Sequence, residues 1–230
     1  MNLPIAISVP HAGLSIPEEV VDLQILTEDE IRKDGDEGAA AIYAIAEEVD
    51  TFVTTPIARA FVDMNRAEGD LRPDGVVKTH TCWDEPVYRA PLADALVETL
   101  MECYHRPYHR ALTEFAGKQV PVAIDCHTMA AFGPPIGPDP GKERPWVCLS
   151  DAGFTCPPEW TQELADCLTR SFGKETAINT PFRGGHIVRS HASEMPWLQL
   201  ELSRAPFFSG SEKRERVLDA LRDWCASMQF

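Results

Sequence analysis

The chain has 230 residues, 44% hydrophobic and 25% charged, the balance of a soluble globular protein with room for one large domain or at most two small ones. A formal net charge of -15 excludes nucleic acid and anionic membrane surfaces as partners, because no basic stripe offsets their phosphate charge. A small anionic ligand is compatible with it, since salt screens the general field beyond roughly 8 Å and arginines next to a site then dominate.

The opening "MNLPIAISVPHAG" has no basic segment, no long apolar run and no small-residue cleavage site, so it does not read as a signal peptide. No stretch approaches the ~18 apolar residues of a membrane span. Seven cysteines, at 82, 103, 126, 148, 156, 167 and 225, form no CxxC pair. That argues against a disulfide framework or a zinc knot and for the reduced thiols of a cytoplasmic protein.

In chain order, "IAISV" (5–9) predicts a strand ending at Pro10. "TEDE" (27–30) is a capping box, Thr27 with Glu30, opening a short helix that breaks at "DGDEG". A second helix is predicted to about Val49, with Ala39, Ile42, Ile45, Ala46 and Val49 on one face. "TFVTT" (51–55) and "RAFVDM" (59–64) read as strands, followed by a loop to about residue 90. Residues 92–116 read as a long amphipathic helix, kinked or broken near Pro107. "VPVAIDC" (120–126) has the near-continuous apolar run of a central strand, and "PWVCLSD" (145–151) predicts another. A helix over 157–173 starts with Pro and ends at Gly173. "ETAIN" (175–179), "GHIVR" (185–189) and "WLQLEL" (197–202) are strand candidates, and a last helix covers 213–228. Alternating strands and helices imply an α/β three-layer sandwich with a mixed, largely parallel central sheet. No linker or repeat divides the chain, so residues 1–230 are expected to form a single catalytic domain.

In open α/β sheets ligands bind beyond the carboxyl ends of the strands. The strand exits here carry His11, then Asp63, Asn65 and Arg66, then Asp125 and His127, then Glu201; the helix opening "DGDEG" adds Asp36 and Glu37. Glu201 inside an apolar strand must be paired with an Arg, Arg204 or Arg189, or used in chemistry. Two His, a carboxylate and a further free Glu are the groups of a hydrolytic zinc site, which takes three protein ligands and a water. Arg66 could hold a substrate carboxylate or stabilise an oxyanion.

Six blocks, "SVPHAGLSIP", "DGDEGAAAIY", "VDMNR", "DCHTM", "NTPFRGGHIVR" and "LQLELSR", in that order over about residues 4–205, resemble the N-formylglutamate amidohydrolase (deformylase) family, distant relatives of the zinc carboxypeptidases. The resemblance implies a carboxypeptidase-like α/β fold and a zinc-dependent hydrolase. It would cleave the amide of a small anionic N-acyl amino acid, N-formyl-L-glutamate to formate and L-glutamate in histidine breakdown. It implies His11, Asp36 and His127 as zinc ligands, Asp36 because the carboxypeptidase Glu has no counterpart at Leu14, with Glu37 as the alternative. It implies Glu201 as general base, and Asn65 and Arg66 as holders of the substrate carboxylate, with Arg183 and Arg189 as further candidates. The family places Tyr after the double Gly where this chain has His186, so a pocket-lining His186 would change the substrate.

The other residues have blander readings. His105 and His109, i,i+4 without an HExxH pattern, read as structural, and His80 and His191 as solvated loop residues. Cys126 should point away from Asp125 and His127 into packing, while Asp125 could orient His127. A zinc carboxypeptidase or another N-acyl amino acid hydrolase would use the same groups. A non-catalytic binding protein is the third reading, and the presence of Glu201 and both histidines argues against it.

Overall fold

The computed structural model describes residues 2–118 and 120–230. The strands are β1 (Leu3–Val9), β2 (Val49–Thr54), β3 (Ala123–Met129), β4 (Val147–Ser150), β5 (Ala177–Ile178) and β6 (Trp197–Ser203). They form one six-stranded sheet in the order β2-β1-β3-β6-β4-β5. Every pairing is parallel except β4 with β6, so the sheet is mixed and largely parallel, as the sequence predicts. The helices are α1 (Glu28–Asp34), α2 (Ala39–Ile42), α3 (Asp94–Leu100), α4 (Arg106–Thr113), α5 (Pro158–Phe172), α6 (His186–Ser190) and α7 (Gly210–Met228).

Strand side chains alternate between faces, and here the two faces differ in kind. Ile5, Ile7 and Val9 of β1, Ile124 and Cys126 of β3 and Leu198, Leu200 and Leu202 of β6 pack against α2, α5 and α7 in one apolar cluster. The opposite face carries Ala6, Ala123 and Trp197 beneath α1, α4, α6 and the 55–90 segment. Its other positions are Ser8, Asp125, His127, Gln199 and Glu201, all buried. The central strands are thus covered on both sides, yet only one covering layer is made of hydrocarbon throughout.

Three local expectations are corrected, and the break expected near Pro107 is found. The second helix stops at Ile42, and Val49 instead pairs with Leu3 as the start of β2. Residues 59–64 are a tight turn: Phe61 N–H donates to Ala58 O at 3.0 Å, and Arg59 Nε reaches Asp63 Oδ2, four residues on, at 2.9 Å. A strand, rising about 3.3 Å per residue, would hold those two side chains far apart. "GHIVR" is not a strand but the helix α6, although Ile and Val favour strands. Asn65 Oδ1, from a distant segment, accepts the Ile187 N–H at 2.8 Å and so satisfies an orphan donor of its first turn. Before Pro107, which lacks an N–H, the chain widens into a π turn over Met101–His105 between α3 and α4.

The Thr27–Glu30 capping box forms, and Gly173 ends α5 in the left-handed conformation, φ +67°. Among the described residues no helix is long and apolar enough to cross a membrane.

Candidate metal centre and its cleft

The order of strands reverses direction of growth at β1 and β3, since β2 lies on one side of β1 and β3 on the other. That is the switch point at which open sheets form a crevice. His11 follows the end of β1, and His127 lies near the end of β3, directly across from Glu201 in the register of β3 with β6.

Asp36 comes from the turn between α1 and α2. Its Oδ2 lies 3.0 Å from His127 Nδ1 and 3.6 Å from His11 Nδ1. The three residues offer ligand atoms that all lie within 4.8 Å of one another, and all three side chains are buried. Glu37, the alternative, is exposed; its backbone carbonyl accepts from Thr128 Oγ1 instead.

The far nitrogen of each imidazole has a carboxylate behind it. His11 Nε2 is 2.8 Å from Asp63 Oδ1, and His127 Nε2 is 2.7 Å from Asp125 Oδ2. With those nitrogens donating, each ring presents a bare Nδ1 towards Asp36. His11 Nδ1 is buried and has no hydrogen-bond partner among the described residues. A buried acceptor left unpaired is costly, and a cation at the convergence would satisfy it. The donor set, two neutral imidazoles and a carboxylate with carboxylates behind the rings, fits zinc and other first-row metals.

Electrostatics agree. Burial alone would raise Asp36, but the charges and hydrogen bonds of His11 and His127 hold it well below the usual carboxylate range. Burial would lower His127, but Asp125, and then Asp36 and Glu201, hold it well above the usual imidazole range. The site therefore attracts positive charge strongly, and a metal would take the place of that proton.

The carboxylates behind the rings are themselves anchored. Asp63 takes Arg59 Nε at 2.9 Å, and buried Lys78 pairs with Asp34 at 2.7 Å while standing 3.9 Å from Asp63. Asp125 accepts from Ser8 Oγ at 2.8 Å. Arg59, Lys78 and Asp34 were not singled out in the sequence, because nothing local distinguishes a buried charge in a polar loop from a solvated one.

Glu201 is 6% exposed, and among the described residues its carboxylate takes one hydrogen bond, from Gln199 Nε2 at 2.8 Å. No arginine pairs with it among the described residues: Arg204 donates to Gly35 O and Arg189 to Gly184 O. Burial raises its pKa, partly offset by the charge of His127. Gln199 also accepts the Gly185 N–H. Its place two residues before Glu201 in "LQLEL" was the available signal.

These groups open into a cleft of about 550 Å³, the size of a small-molecule pocket. Asn65, Arg66 and Arg183 line it, with Arg59, Arg72, Arg144 and Arg204. An acidic protein thus presents a guanidinium-rich cavity. Arg144 is committed to Asp139 through two bonds of 2.8 and 2.7 Å, whereas the Arg183 guanidinium makes no hydrogen bond among the described residues. Asn65 presses on Gly185 so closely that a Cβ there would fall 2.3 Å from its Nδ2, which explains a glycine at this place. Arg189 and His186 stand outside the cleft: Arg189 braces the carbonyls of Arg183 and Gly184 and faces Phe154, and His186 lies against His109. Cys126 is on the opposite, apolar face, where burial raises its thiol pKa far from reactivity. His191, expected in solvent, is buried.

Comparison with known proteins adds to this geometry. The protein is 26% identical over 227 residues to the N-formylglutamate deformylase of Pseudomonas putida, covering 92% of this chain and 84% of that one. It is likewise 26% identical to the N-formylglutamate deformylase of Pseudomonas aeruginosa, covering 99% and 93%. In fold it is similar to the N-formylglutamate amidohydrolase of Ralstonia eutropha JMP134, with a TM-score of 0.80 and 21% identity over 99% of this chain and 95% of that one. The sequence model of that family matches residues 3–207, which contain the whole sheet and every residue of the cleft, and the chain belongs to the N-formylglutamate amidohydrolase family.

Proposed function

We propose that the protein hydrolyses the amide of an N-formyl amino acid, with N-formyl-L-glutamate as substrate and formate and L-glutamate as products, and that it does so with a divalent metal, zinc by its donor set. The observation that carries this reading is the convergence of His11 Nδ1, Asp36 Oδ2 and His127 Nδ1 beside a buried Glu201, which has no ion-pair partner among the described residues, in an arginine-lined cleft. The names of the two Pseudomonas relatives support the choice of acyl group and amino acid.

A metal held by His11, Asp36 and His127 supplies Lewis acidity to the reacting centre. The remaining steps belong to the chain. Glu201 accepts the proton of the attacking water as its oxygen bonds to the formyl carbon. It then delivers that proton to the amino acid nitrogen as the C–N bond breaks, so formate and a free amine leave. A pKa raised by burial suits a group that must both take and return a proton. Gln199 holds Glu201 in place from one side. Asn65 and Arg66 bind one substrate carboxylate, and the uncommitted Arg183 the other.

The decisive experiment is formate release from a panel of N-formyl amino acids by metal-loaded enzyme, with N-acetyl and peptidyl substrates alongside. N-formyl-L-glutamate is expected to turn over fastest. Cleavage confined to acetyl or peptide substrates would overturn the formyl assignment.

Arg66 gives a further expectation. Its guanidinium is steered by Asp74, 3.5 Å away, and by Asp70, 3.8 Å away. A lysine ammonium cannot reproduce a two-pronged grip on a carboxylate. Arg66→Lys should therefore raise KM about tenfold, the loss of roughly one charge-assisted hydrogen bond. Steady-state kinetics at varied substrate check this; unchanged KM in Arg66→Ala would move the anchor to Arg183.

A further inference from the structure

Behind the cleft, four imidazoles gather from two distant segments: His105 just before α4 and His109 on it, His186 on α6 and His191 just after it. The rings of His105 and His186 lie 4.4 and 5.3 Å from that of His109. The cluster is not a second metal site: His109 and His191 commit their nitrogens to each other, to Met64 O and to Glu194, and although His105 Nδ1 is buried without a partner among the described residues, the four rings bring no three ligand atoms together. Among the described residues only His11, Asp36 and His127 bring three ligand atoms together.

The hydrogen bonds can be followed proton by proton. His109 Nε2 is 2.9 Å from Met64 O, a carbonyl that can only accept, so this nitrogen carries a hydrogen. In a neutral ring Nδ1 is then bare and needs a donor. The group facing it is His191 Nε2, at 2.9 Å. The two rings are 12° from coplanar, and their centres, 5.2 Å apart, exceed the nitrogen separation by about a ring's width. That is an in-plane N–H to N bond, not a stack. His191 Nδ1, in turn, lies 2.7 Å from Glu194 Oε2, whose other oxygen accepts from Thr113 Oγ1 at 3.1 Å. Both His191 nitrogens must therefore donate. The two rings together hold one proton more than two neutral imidazoles, and with His109 Nδ1 accepting it lies on His191, between that nitrogen and the Glu194 carboxylate. The neutrality of His109 has an independent support: burial, then the charge of His105, lowers its pKa to about 3.

The string ends on the backbone of the cleft wall. His109 holds the carbonyl of Met64, and His105 Nε2 donates to the carbonyl of Arg66 at 2.8 Å. The residue between them is Asn65. Its own N–H is tied to Asp63 Oδ1 at 2.9 Å, and its side chain to Ile187 N. We propose that Glu194, His191 and His109 form a charged hydrogen-bonded string that, with His105, positions Asn65 and Arg66 for the substrate carboxylate. This rests on the reading above in which those two side chains bind substrate. Glu194, His191 and His109 are positioning residues; none of them lines the cleft.

The test combines a measurement that needs no substrate with one that does. In protein labelled with ¹⁵N-histidine at pH 7, His191 should show two protonated nitrogens and His109 a protonated Nε2 with a bare Nδ1. A neutral His191 would overturn the string. In metal-loaded enzyme, His109→Leu should raise KM for N-formyl-L-glutamate about tenfold while kcat stays within threefold, the loss of about one hydrogen bond expressed in binding. His109→Gln, which can still donate to Met64 O, should bring KM back to within threefold of wild type. Glu194→Gln should do as little harm, because its amide can donate to a neutral His191 that still donates to His109. A merely structural role would lower the melting temperature of His109→Leu and leave KM alone, and that result refutes the proposal. If His109→Leu does not fold, Glu194→Leu at the solvent end of the string carries the same comparison with Glu194→Gln. Wild-type enzyme that releases no formate would count against the proposed function, while the nitrogen shifts would still decide the string.

Discussion

Glu201→Gln is expected to yield a folded protein that binds its metal and substrate yet turns over roughly 10²–10⁴ times more slowly, the usual loss when a positioned general base is removed. The environment of Glu201 makes the substitution clean. Its hydrogen bond comes from Gln199 Nε2, and the oxygen of a glutamine at 201 can accept that bond. No cation is paired with it among the described residues, so no buried charge is orphaned. Had Glu201 been one arm of a buried ion pair, the change would instead cost about 3–5 kcal/mol of stability. Three measurements separate the cases: kcat at saturating substrate, the midpoint of urea unfolding and the metal content. A stable, metal-loaded variant with near-normal turnover would refute the assigned role.

The second large effect concerns the ligands. His11→Ala, Asp36→Ala or His127→Ala should each remove most of the bound metal and abolish hydrolysis, whereas Glu37→Ala should be mild. Each of the first three supplies one of only three converging atoms. Glu37 is exposed and contributes its carbonyl rather than its carboxylate. Elemental analysis after dialysis, read beside activity, makes the comparison. Full metal occupancy in Asp36→Ala would mean that another carboxylate closes the site.

What could be read in advance follows from the range over which each feature is determined. The alternation in "AIDCHTM" is local, and it puts Asp125 and His127 on one face and Cys126 on the other, whereas the pairing of His127 with Glu201 needs the register of β3 with β6. The capping box at Thr27 and the glycine stop at Gly173 are local too. A second capping box, Ser209 with Glu212 at the start of α7, was equally legible in "SGSE" and would have moved that helix start from 213 to Gly210. Other failures depend on partners distant in sequence. α6 is helical where Ile and Val favour a strand, and its first turn is satisfied by Asn65, over a hundred residues earlier. His191 is buried because His109 and Glu194 hold it. Asp36 and Glu37 are neighbours in a turn, and only the fold decides which of them faces two imidazoles.

The unlike faces of the sheet have a consequence for how substitutions should sort. On β3 and β6 the odd-numbered positions 125, 127, 199 and 201 carry polar groups around the cleft, while the even-numbered 124, 126, 198, 200 and 202 carry hydrocarbon or thiol. On β1 the parity is reversed, with 5, 7 and 9 apolar and Ser8 polar. Replacing Ile124, Cys126, Leu198, Leu200 or Leu202 acts through cavities and overpacking, and it should reduce how much folded enzyme accumulates. Replacing Asp125, His127, Gln199 or Glu201 acts on the reacting groups, and it should reduce what each folded molecule can do. Abundance and specific activity would then vary as nearly independent traits along one strand, changing places at every residue, so that selection for either could proceed without much disturbing the other.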